Sequence, residues 1–186
     1  MSVNRREFVM AAAATGLTLT AAPFVHATSK AKVYRTALIG SGWWGMNILR
    51  EALAAGNCKP VALADVDRDT MDVAAEEIND LSGTRPNRYQ DVRDLLAKEK
   101  IDIAIIATPD HWHAPAAILA LDAGKHVYVE KPCSHNIREG RLMADAVKRS
   151  GKQLQVGTQS RSTDCVKEAI QRIHEGEIGE VLTVKA

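Results

Sequence analysis

Length, composition and charge already exclude several classes of protein. The chain has 186 residues, 46% hydrophobic and 25% charged, with 24 Lys and Arg against 23 Asp and Glu. A formal charge of +1 and 4% aromatic residues argue against nucleic-acid binding, which uses clustered basic surfaces and stacking platforms. Three cysteines without a CxxC pair argue against a disulfide framework or a structural zinc site. The body of the chain has no run of about 18 apolar residues, so no membrane span is predicted there.

The first 27 residues resemble an export signal. Arg5 and Arg6 precede a short apolar run, and Val25 and Ala27 stand at the −3 and −1 positions of a cleavage site. Paired arginines are typical of the twin-arginine pathway, which exports folded proteins. We expect residues 1–27 to be a twin-arginine-type signal peptide and the mature protein to be periplasmic or secreted. The alternative, an amphipathic helix packed on the domain, is disfavoured because the apolar run lacks a charged face.

The body of the chain alternates predicted strands with predicted helices. Strands are expected over residues 32–39, 59–66, 101–107, 126–130 and 154–157, with a short edge strand at Tyr89. Helices are expected over residues 44–55, 69–81 (capped by Asp69), 91–98, 114–123 and 137–149. The fourth strand, IDIAIIA, is nearly all β-branched or apolar, as in a strand buried on both faces of a parallel sheet. This alternation predicts an α/β fold with an open, doubly wound parallel sheet.

The end of the chain differs in character from its body. A helix is predicted over residues 163–174, a turn over 176–179 and a strand over 181–185. A single terminal strand has no obvious partner. We interpret it as the first strand of a second α/β domain, and we expect the sequence to be truncated or partial.

A glycine-rich loop follows the first predicted strand and opens the first predicted helix. Its sequence, GSGWWG, fits the pattern GxGxxG. In that pattern Gly40 allows a tight turn, Gly42 lets the backbone approach a pyrophosphate, and Gly45 lets the helix pack against the strand. The helix N-terminus then offers free N–H groups to the phosphates. The loop therefore predicts dinucleotide binding.

An acidic residue at the end of the second strand supports this prediction. Asp65 lies about twenty residues beyond the loop, where the carboxylate that binds the adenosine ribose is expected. Asp65 and Asp67 would repel a 2′-phosphate, so NAD is favoured over NADP, although Arg68 leaves NADP open. The alternatives for Asp65 are a solvent-facing carboxylate and a helix cap.

Two histidines follow the fourth strand, within the segment TPDHWH. Ligands of open α/β sheets bind outside the carboxyl ends of the strands, so this segment belongs to the candidate site. His111 and His113 form an HxH pair of the kind that binds metal in some barrel hydrolases. The GxGxxG motif is not a feature of such barrels, so no metal site is predicted here. The simplest alternative is that His111 or His113 caps the next helix.

Lys131 follows the fifth strand, in the segment EKP. A lysine beside a bound nicotinamide can shuttle a proton once it is partly desolvated, and Pro132 favours an extended backbone at Lys131. The alternative is a surface ion pair between Glu130 and Lys131 that precedes a turn. Cys133 is assigned to packing, because no His/Asp set supports it as a nucleophile.

The sequence from Lys32 onward resembles the Gfo/Idh/MocA oxidoreductases, especially secreted members. The leader, GSGWWG, Asp65, ATPDHWH, VYVEKPCSHN and VGTQSRS occur in the order seen in that family. The resemblance implies a Rossmann domain over residues 32–157 and the beginning of an incomplete C-terminal substrate domain over 158–186. It also implies hydride exchange between a nicotinamide and a sugar, polyol or glycoside carbinol.

The resemblance assigns roles to particular residues. The lysine of EKP falls on Lys131, a proton-transfer group, while the histidine of the TPxxxH pattern and the amide of VGTQ fall on His113 and Gln159, near the nicotinamide. The family's other catalytic groups, usually an Asp and a His, belong to the second domain. The full set predicted to bind the cofactor is Gly40, Gly42, Trp43, Trp44, Gly45, Asp65, Thr108, Pro109, His113, Glu130 and Gln159.

Three functions are compatible with these features. The leading one is an exported NAD(P)-dependent oxidoreductase that acts on a small carbohydrate-type substrate, with possible homo-oligomers through the missing domain. A related branch, the NAD-dependent glycosidases, uses transient oxidation but typically lacks the lysine of EKP, so Lys131 favours the plain oxidoreductase. A non-catalytic dinucleotide-binding module is the third.

Overall fold

The structure is a computed structural model and describes residues 32–185. The predicted signal peptide, with Arg5 and Arg6, lies outside the described residues, as does Ala186. The strands are β1 (Tyr34–Ile39), β2 (Cys58–Ala64), β3 (Asn87–Tyr89), β4 (Ile103–Ile106), β5 (His126–Glu130) and β6 (Leu154–Gly157). The helices are α1 (Trp43–Ala54), α2 (Arg68–Ser82), α3 (Val92–Lys98), α4 (Asp110–Asp122), α5 (Ile137–Ser150) and α6 (Asp164–His174), with a 3₁₀ turn at Gln159–Ser162.

The six strands form one parallel sheet in the order β3-β2-β1-β4-β5-β6. This is the order of a doubly wound Rossmann sheet, so the predicted fold class is confirmed. Side chains alternate between the two faces of each strand. One apolar cluster is therefore built around Ala37 and Ile39, and a second, which includes Leu38, packs against α1 and α2. Two covered faces explain the nearly continuous apolar runs in the central strands.

Short polar side chains begin several of the helices. Asp67 caps α2, where its Oδ1 accepts hydrogen bonds from the N–H groups of Asp69 (3.0 Å) and Thr70 (3.3 Å). The prediction that Asp69 is the cap is wrong, because the helix begins one residue earlier and places Asp69 in its first turn. Asp91 caps α3 as its position before the apolar run suggests, accepting from the N–H of Arg93 at 2.8 Å.

Helix α4 begins four residues earlier than predicted. Its N-cap is Pro109, and the N–H of Trp112 donates to the carbonyl of Pro109 at 2.8 Å. Pro115 lies inside the helix. Neither His111 nor His113 is the cap residue, so that alternative is wrong. Both histidines are helical.

The strand predicted over residues 181–185 does not form. Residues 180–185 have no regular secondary structure, and within the described part of the chain no neighbouring strand is there to pair with them. Helix α6 has no buried residue. Over residues 32–185, no helix is both long and apolar enough to cross a membrane.

Candidate functional site

The carboxyl ends of the parallel strands bring the predicted site residues to one edge of the sheet. Ile39 pairs with Ala64 on one side and with Ile106 on the other, and Ile106 pairs with Val129. The chain segments that follow these four positions lie at the same edge of the sheet. They begin the glycine loop, Asp65, the TPDHWH segment and the EKP segment, and Gln159 follows the neighbouring strand β6.

The three glycines of the loop meet three different surroundings. Gly40 has a φ of +87°, and a Cβ there would lie 2.6 Å from the carbonyl oxygen of Ala107. A Cβ on Gly45 would collide with the carbonyl oxygen of Gly40, whereas one on Gly42 would meet nothing within 4 Å. Two glycines therefore serve the fold, and the third keeps an open surface above the loop. That pattern fits a pyrophosphate lying over Gly42.

The N-terminus of α1 has hydrogen-bond donors to offer at this surface. Its first turn holds no acidic residue, and its N-cap, Gly42, supplies no side-chain acceptor. The first intrahelical bond runs from the N–H of Met46 to the carbonyl of Gly42 at 3.0 Å. The N–H groups of Trp43, Trp44 and Gly45 come before it and have no intrahelical partner. Both indoles are exposed. The positive end of the helix dipole adds to the attraction for an anion.

Asp65 contacts the glycine loop directly. Its Oδ2 accepts hydrogen bonds from the N–H of Ser41 at 2.7 Å and from the Ser41 hydroxyl at 3.0 Å. Its Oδ1 accepts from the N–H of Asp67 at 3.0 Å. Asp65 is therefore neither a purely solvent-facing carboxylate nor a helix cap, since Asp67 caps α2. Each carboxylate oxygen has more than one acceptor site, so Asp65 can still accept ribose hydroxyls.

Arg68, the residue that left NADP open, has a neutral partner. One of its guanidinium nitrogens donates to the side-chain oxygen of Gln90 at 2.8 Å. This hydrogen bond occupies part of the guanidinium fork that would otherwise pair with a 2′-phosphate.

Glu130 and Lys131 do not form the surface ion pair considered as an alternative. Glu130 is only 2% exposed, and its carboxylate accepts from the Tyr128 hydroxyl at 3.1 Å, from the Lys131 N–H at 3.2 Å and from Nε2 of Gln159. Lys131 is exposed and takes part in no ion pair within residues 32–185. Its ammonium group is thus available at the carboxyl edge of the sheet.

Burial and the neighbouring Glu130 carboxylate, in that order of importance, raise the pKa of Tyr128 to about 12. The phenol therefore stays protonated at neutral pH and acts as a donor to Glu130.

The buried His113 side chain contacts the backbone of the EKP segment. It is 2% exposed, and its Nδ1 lies 2.6 Å from the carbonyl oxygen of Pro132. A carbonyl only accepts, so Nδ1 carries the proton and donates. Its Nε2 and the Thr108 hydroxyl are buried without a hydrogen-bond partner in the described residues. His113 therefore connects the start of α4 to the loop after β5.

The two histidines of the TPDHWH segment have different surroundings. Over residues 32–185, no group of three or more His, Cys, Asp or Glu side chains could hold a metal ion. His111 lies on the exposed side of α4, whereas His113 is buried. The two residues are about half a helical turn apart, so the two rings lie on opposite sides of α4, one towards solvent and one towards the core.

Three residues of the site were missed from sequence. Ser41 binds Asp65, Tyr128 binds Glu130, and Gly157 leaves room for the side chains around it. Ser41 lies inside the GSG motif, and Tyr128 shares a strand face with Glu130, two residues on. The partners of Ser41 and Gly157 come from other strands, so those pairings carry no local signal, whereas the alternation of faces along β5 could have placed Tyr128 beside Glu130.

Comparisons with known proteins agree with this geometry. The structure defines a dinucleotide-binding protein of the Rossmann class. The Gfo/Idh/MocA profile, described as an oxidoreductase family with an NAD-binding Rossmann fold, matches residues 34–158. The chain therefore belongs to the Gfo/Idh/MocA family, and the predicted resemblance and the NAD cofactor of the family are confirmed.

The similar proteins are longer than this chain. A glycosyl hydrolase family 109 protein of Saccharopolyspora erythraea is 31% identical over 153 residues, which are 80% of this chain and 33% of the relative. A protein of the same description from Shewanella baltica is 32% identical over 127 residues, 66% of this chain and 28% of the relative. The chain thus spans about a third of the length of these relatives.

Two solved structures share the fold over most of this chain. The myo-inositol 2-dehydrogenase of Lactobacillus plantarum is 28% identical with a TM-score of 0.72, covering 81% of this chain and 43% of its own. The WlbA dehydrogenase of Bordetella pertussis, solved with NADH and UDP-GlcNAcA, is 26% identical with a TM-score of 0.69, covering 80% and 43%.

Proposed function

We propose that this chain is the cofactor-binding part of an exported NAD-dependent oxidoreductase that acts on a sugar, polyol or glycoside carbinol. Gly40 to Gly45 would hold the pyrophosphate and Asp65 the adenosine ribose. Lys131 would be the proton-transfer group for the alcohol.

The observation that carries the proposal is the position of Lys131. It follows β5 at the edge where the glycine loop leaves β1, its side chain is exposed, and Glu130 turns inward instead of pairing with it. The dinucleotide of a doubly wound sheet spans the carboxyl edge from one half of the sheet to the other. With the adenosine half on β1 and β2, the nicotinamide half reaches β4 to β6, where Lys131 lies.

The proposed reaction balances with the groups named. A bound NAD would supply the hydride acceptor. In oxidation, the amine of Lys131 would take the hydroxyl proton as the alcohol becomes a carbonyl compound, which leaves the lysine as an ammonium. Reduction runs the same steps backwards. His113 supports the backbone beside Lys131 through the carbonyl of Pro132.

The substrate class is supported by the solved relatives. One is a myo-inositol 2-dehydrogenase and another was solved with a UDP-linked sugar acid. Both ligand chemistries offer a secondary alcohol on a ring. A polyhydroxylated ring is accordingly the substrate class that we propose here.

Replacing Lys131 tests its proposed role in proton transfer. Turnover is measured in a form of the protein that includes the substrate domain. Lys131→Ala should leave NAD affinity nearly unchanged and lower turnover by about 10² to 10⁴, the usual contribution of a positioned acid–base group. Lys131→Arg should recover little, because a guanidinium stays protonated and cannot accept the proton. Lys148→Ala removes an exposed lysine on α5 and serves as the matched control.

The pH–rate profile separates proton transfer from a structural role. If Lys131 transfers the proton, one limb of the parent profile should be absent in Lys131→Ala. A profile of unchanged shape, with turnover reduced less than about fivefold, would exclude Lys131 as the proton shuttle.

A second candidate is an NAD-dependent glycoside hydrolase that oxidises its substrate transiently. The curated relatives described as glycosyl hydrolase family 109 proteins favour it. The two reactions differ in their products, because the hydrolase releases an aglycone without net conversion of NAD to NADH. The protein is incubated with aryl glycosides and with free polyols. The absorbance of the released aglycone and the absorbance of NADH then distinguish the two reactions.

Export is proposed from the Arg5-Arg6 pair, the apolar run that follows it and the predicted cleavage site after Ala27. Replacing both residues with lysine keeps the charge but removes the pair that the twin-arginine pathway reads. The double variant should accumulate as unprocessed precursor in cell fractions. Normal processing would instead indicate an ordinary secretory route.

A further inference from the structure

Four residues form a compact polar cluster at the carboxyl ends of β5 and β6. Glu130 pairs in register with Gly157, and the side chains of Tyr128, Glu130 and Gln159 meet over the bare face of that glycine. A Cβ on Gly157 would lie 2.6 Å from both Glu130 Oε1 and the Tyr128 hydroxyl, and 3.0 Å from Nε2 of Gln159. We call Tyr128, Glu130, Gly157 and Gln159 the amide network.

The chemistry of the three polar groups fixes the direction of every hydrogen bond. The Tyr128 hydroxyl donates its single proton to Oε1 of Glu130. The hydroxyl oxygen of Tyr128 then accepts from Nε2 of Gln159 at 2.8 Å, and Glu130 accepts from the same nitrogen. Both protons of the Gln159 amide are therefore used within the network. Its carbonyl oxygen is left, and that atom can only accept.

We propose that Glu130 is a positioning residue that locks the Gln159 amide, so that its carbonyl oxygen accepts a hydrogen bond from the carboxamide N–H of the nicotinamide. The inference rests on the proposed function, because it needs a dinucleotide at this edge. Gln159 follows β6, in the half of the sheet opposite Asp65, which is the half that receives the second mononucleotide. Without the Glu130 carboxylate, the amide of Gln159 has no fixed orientation and can turn its NH₂ group outward.

The specificity of this contact can be measured with a cofactor analogue. Reduced 3-acetylpyridine adenine dinucleotide replaces the carboxamide with an acetyl group, which keeps a carbonyl but has no N–H. The parent protein should bind NADH roughly fivefold to tenfold more tightly than the analogue, the value of one net hydrogen bond. Fluorescence titration of the 186-residue chain gives both dissociation constants without any turnover.

Variants of the amide network then decide whether Glu130 acts through Gln159. Glu130→Gln and Gln159→Leu should each abolish the preference for NADH, and the double variant should lose no more than either single one. Glu51→Gln, which removes an exposed carboxylate on α1, should keep the preference. A full preference in Glu130→Gln, or an equal loss of NADH affinity when Gln159 is already Leu, would overturn the inference.

Two further measurements keep the test decisive. If Glu130→Gln does not fold, Tyr128→Phe removes one of the two contacts that hold the amide, and it should lower the preference by about twofold; an unchanged preference would count against the network. If the parent binds neither dinucleotide, the proposed function fails. The hydrogen bonds of the amide network are then tested in the ligand-free protein. In ¹³C-tyrosine NMR, Glu130→Gln should then lower the pKa of Tyr128 from about 12. An unchanged pKa would overturn the network itself.

Discussion

The Asp65 carboxylate links the second strand to the glycine loop. It accepts from the backbone and the hydroxyl of Ser41, a residue that is only 2% exposed, and also from the backbone of Asp67. A buried N–H that loses its acceptor costs about 1–3 kcal/mol. Asp65 therefore contributes to the conformation of the loop as well as to the negative charge beside it.

Asp65→Ser should change cofactor choice and stability together. The serine removes the negative charge that repels a 2′-phosphate, and it is a weaker hydrogen-bond acceptor for the ribose hydroxyl. NADP should therefore gain affinity relative to NAD. The melting temperature should also fall, because Ser41 loses its carboxylate partner. Titration with both cofactors, beside differential scanning calorimetry, checks the two effects.

Asp67→Asn is the matched control for this change. It removes a neighbouring negative charge but keeps a side chain that caps helices well. A cofactor ratio that changes as much in Asp67→Asn as in Asp65→Ser would show that general charge, and not the Asp65 contact, sets the preference.

Helix α1 packs against the sheet only because its third residue has no side chain. A Cβ on Gly45 would meet the backbone carbonyl of Gly40, which cannot rotate away as a side chain can. Gly45→Ala should therefore lower the free energy of unfolding by roughly 1–3 kcal/mol, the usual cost of overpacking. Urea denaturation measures this directly.

Gly140→Ala, within α5, provides the contrast. Its Cβ would meet only the Ser134 side chain, at 3.0 Å, and alanine is favoured over glycine in a helix by up to about 1 kcal/mol. Its stability should be close to that of the parent. Equal destabilisation by Gly45→Ala and Gly140→Ala would mean that the loop–helix contact is not special.

The strands and helices were predicted correctly where their bounds depend only on neighbouring residues in the sequence. The strands at His126–Glu130 and Leu154–Gly157 have the predicted bounds, because apolar runs between polar turns mark them clearly. The predicted start of α4 was wrong, since the helix already begins at Asp110, directly after its N-cap Pro109. The strand at 181–185 was wrong because alternation alone does not supply a neighbouring strand.

The same distinction separates the parts of the site. The spacing of Gly40, Gly42 and Gly45 is a local property and predicted the loop. The partners of Asp65 and Glu130 depend on which strands become neighbours, and no spacing rule encodes that. Ser41 and Gly157 could therefore be identified only after the sheet order was known, whereas Tyr128 lies two residues before Glu130 on the same face of β5.

At the scale of the whole molecule, one edge of the sheet collects the chemistry. The order β3-β2-β1-β4-β5-β6 places β1 and β4 side by side at the centre, with the glycine loop on one and the TPDHWH segment on the other. Asp65 lies to one side of that centre, and Lys131 and the amide network to the other. An extended two-part ligand such as a dinucleotide matches this layout better than a compact one.

The seat of the pyrophosphate is tested most directly by titrating NADH into the parent and into Gly42→Val. A Cβ at position 42 would meet no protein atom within 4 Å, so the variant should fold, with a modest fall in melting temperature because valine is a poorer N-cap than glycine. The new side chain would, however, occupy the place of the phosphates, and we expect NADH binding to weaken at least tenfold, or about 1.4 kcal/mol. Ala54→Val, at the exposed end of the same helix, is the control and should bind as the parent does. Equal affinity in Gly42→Val and the parent would contradict binding of the dinucleotide at this loop.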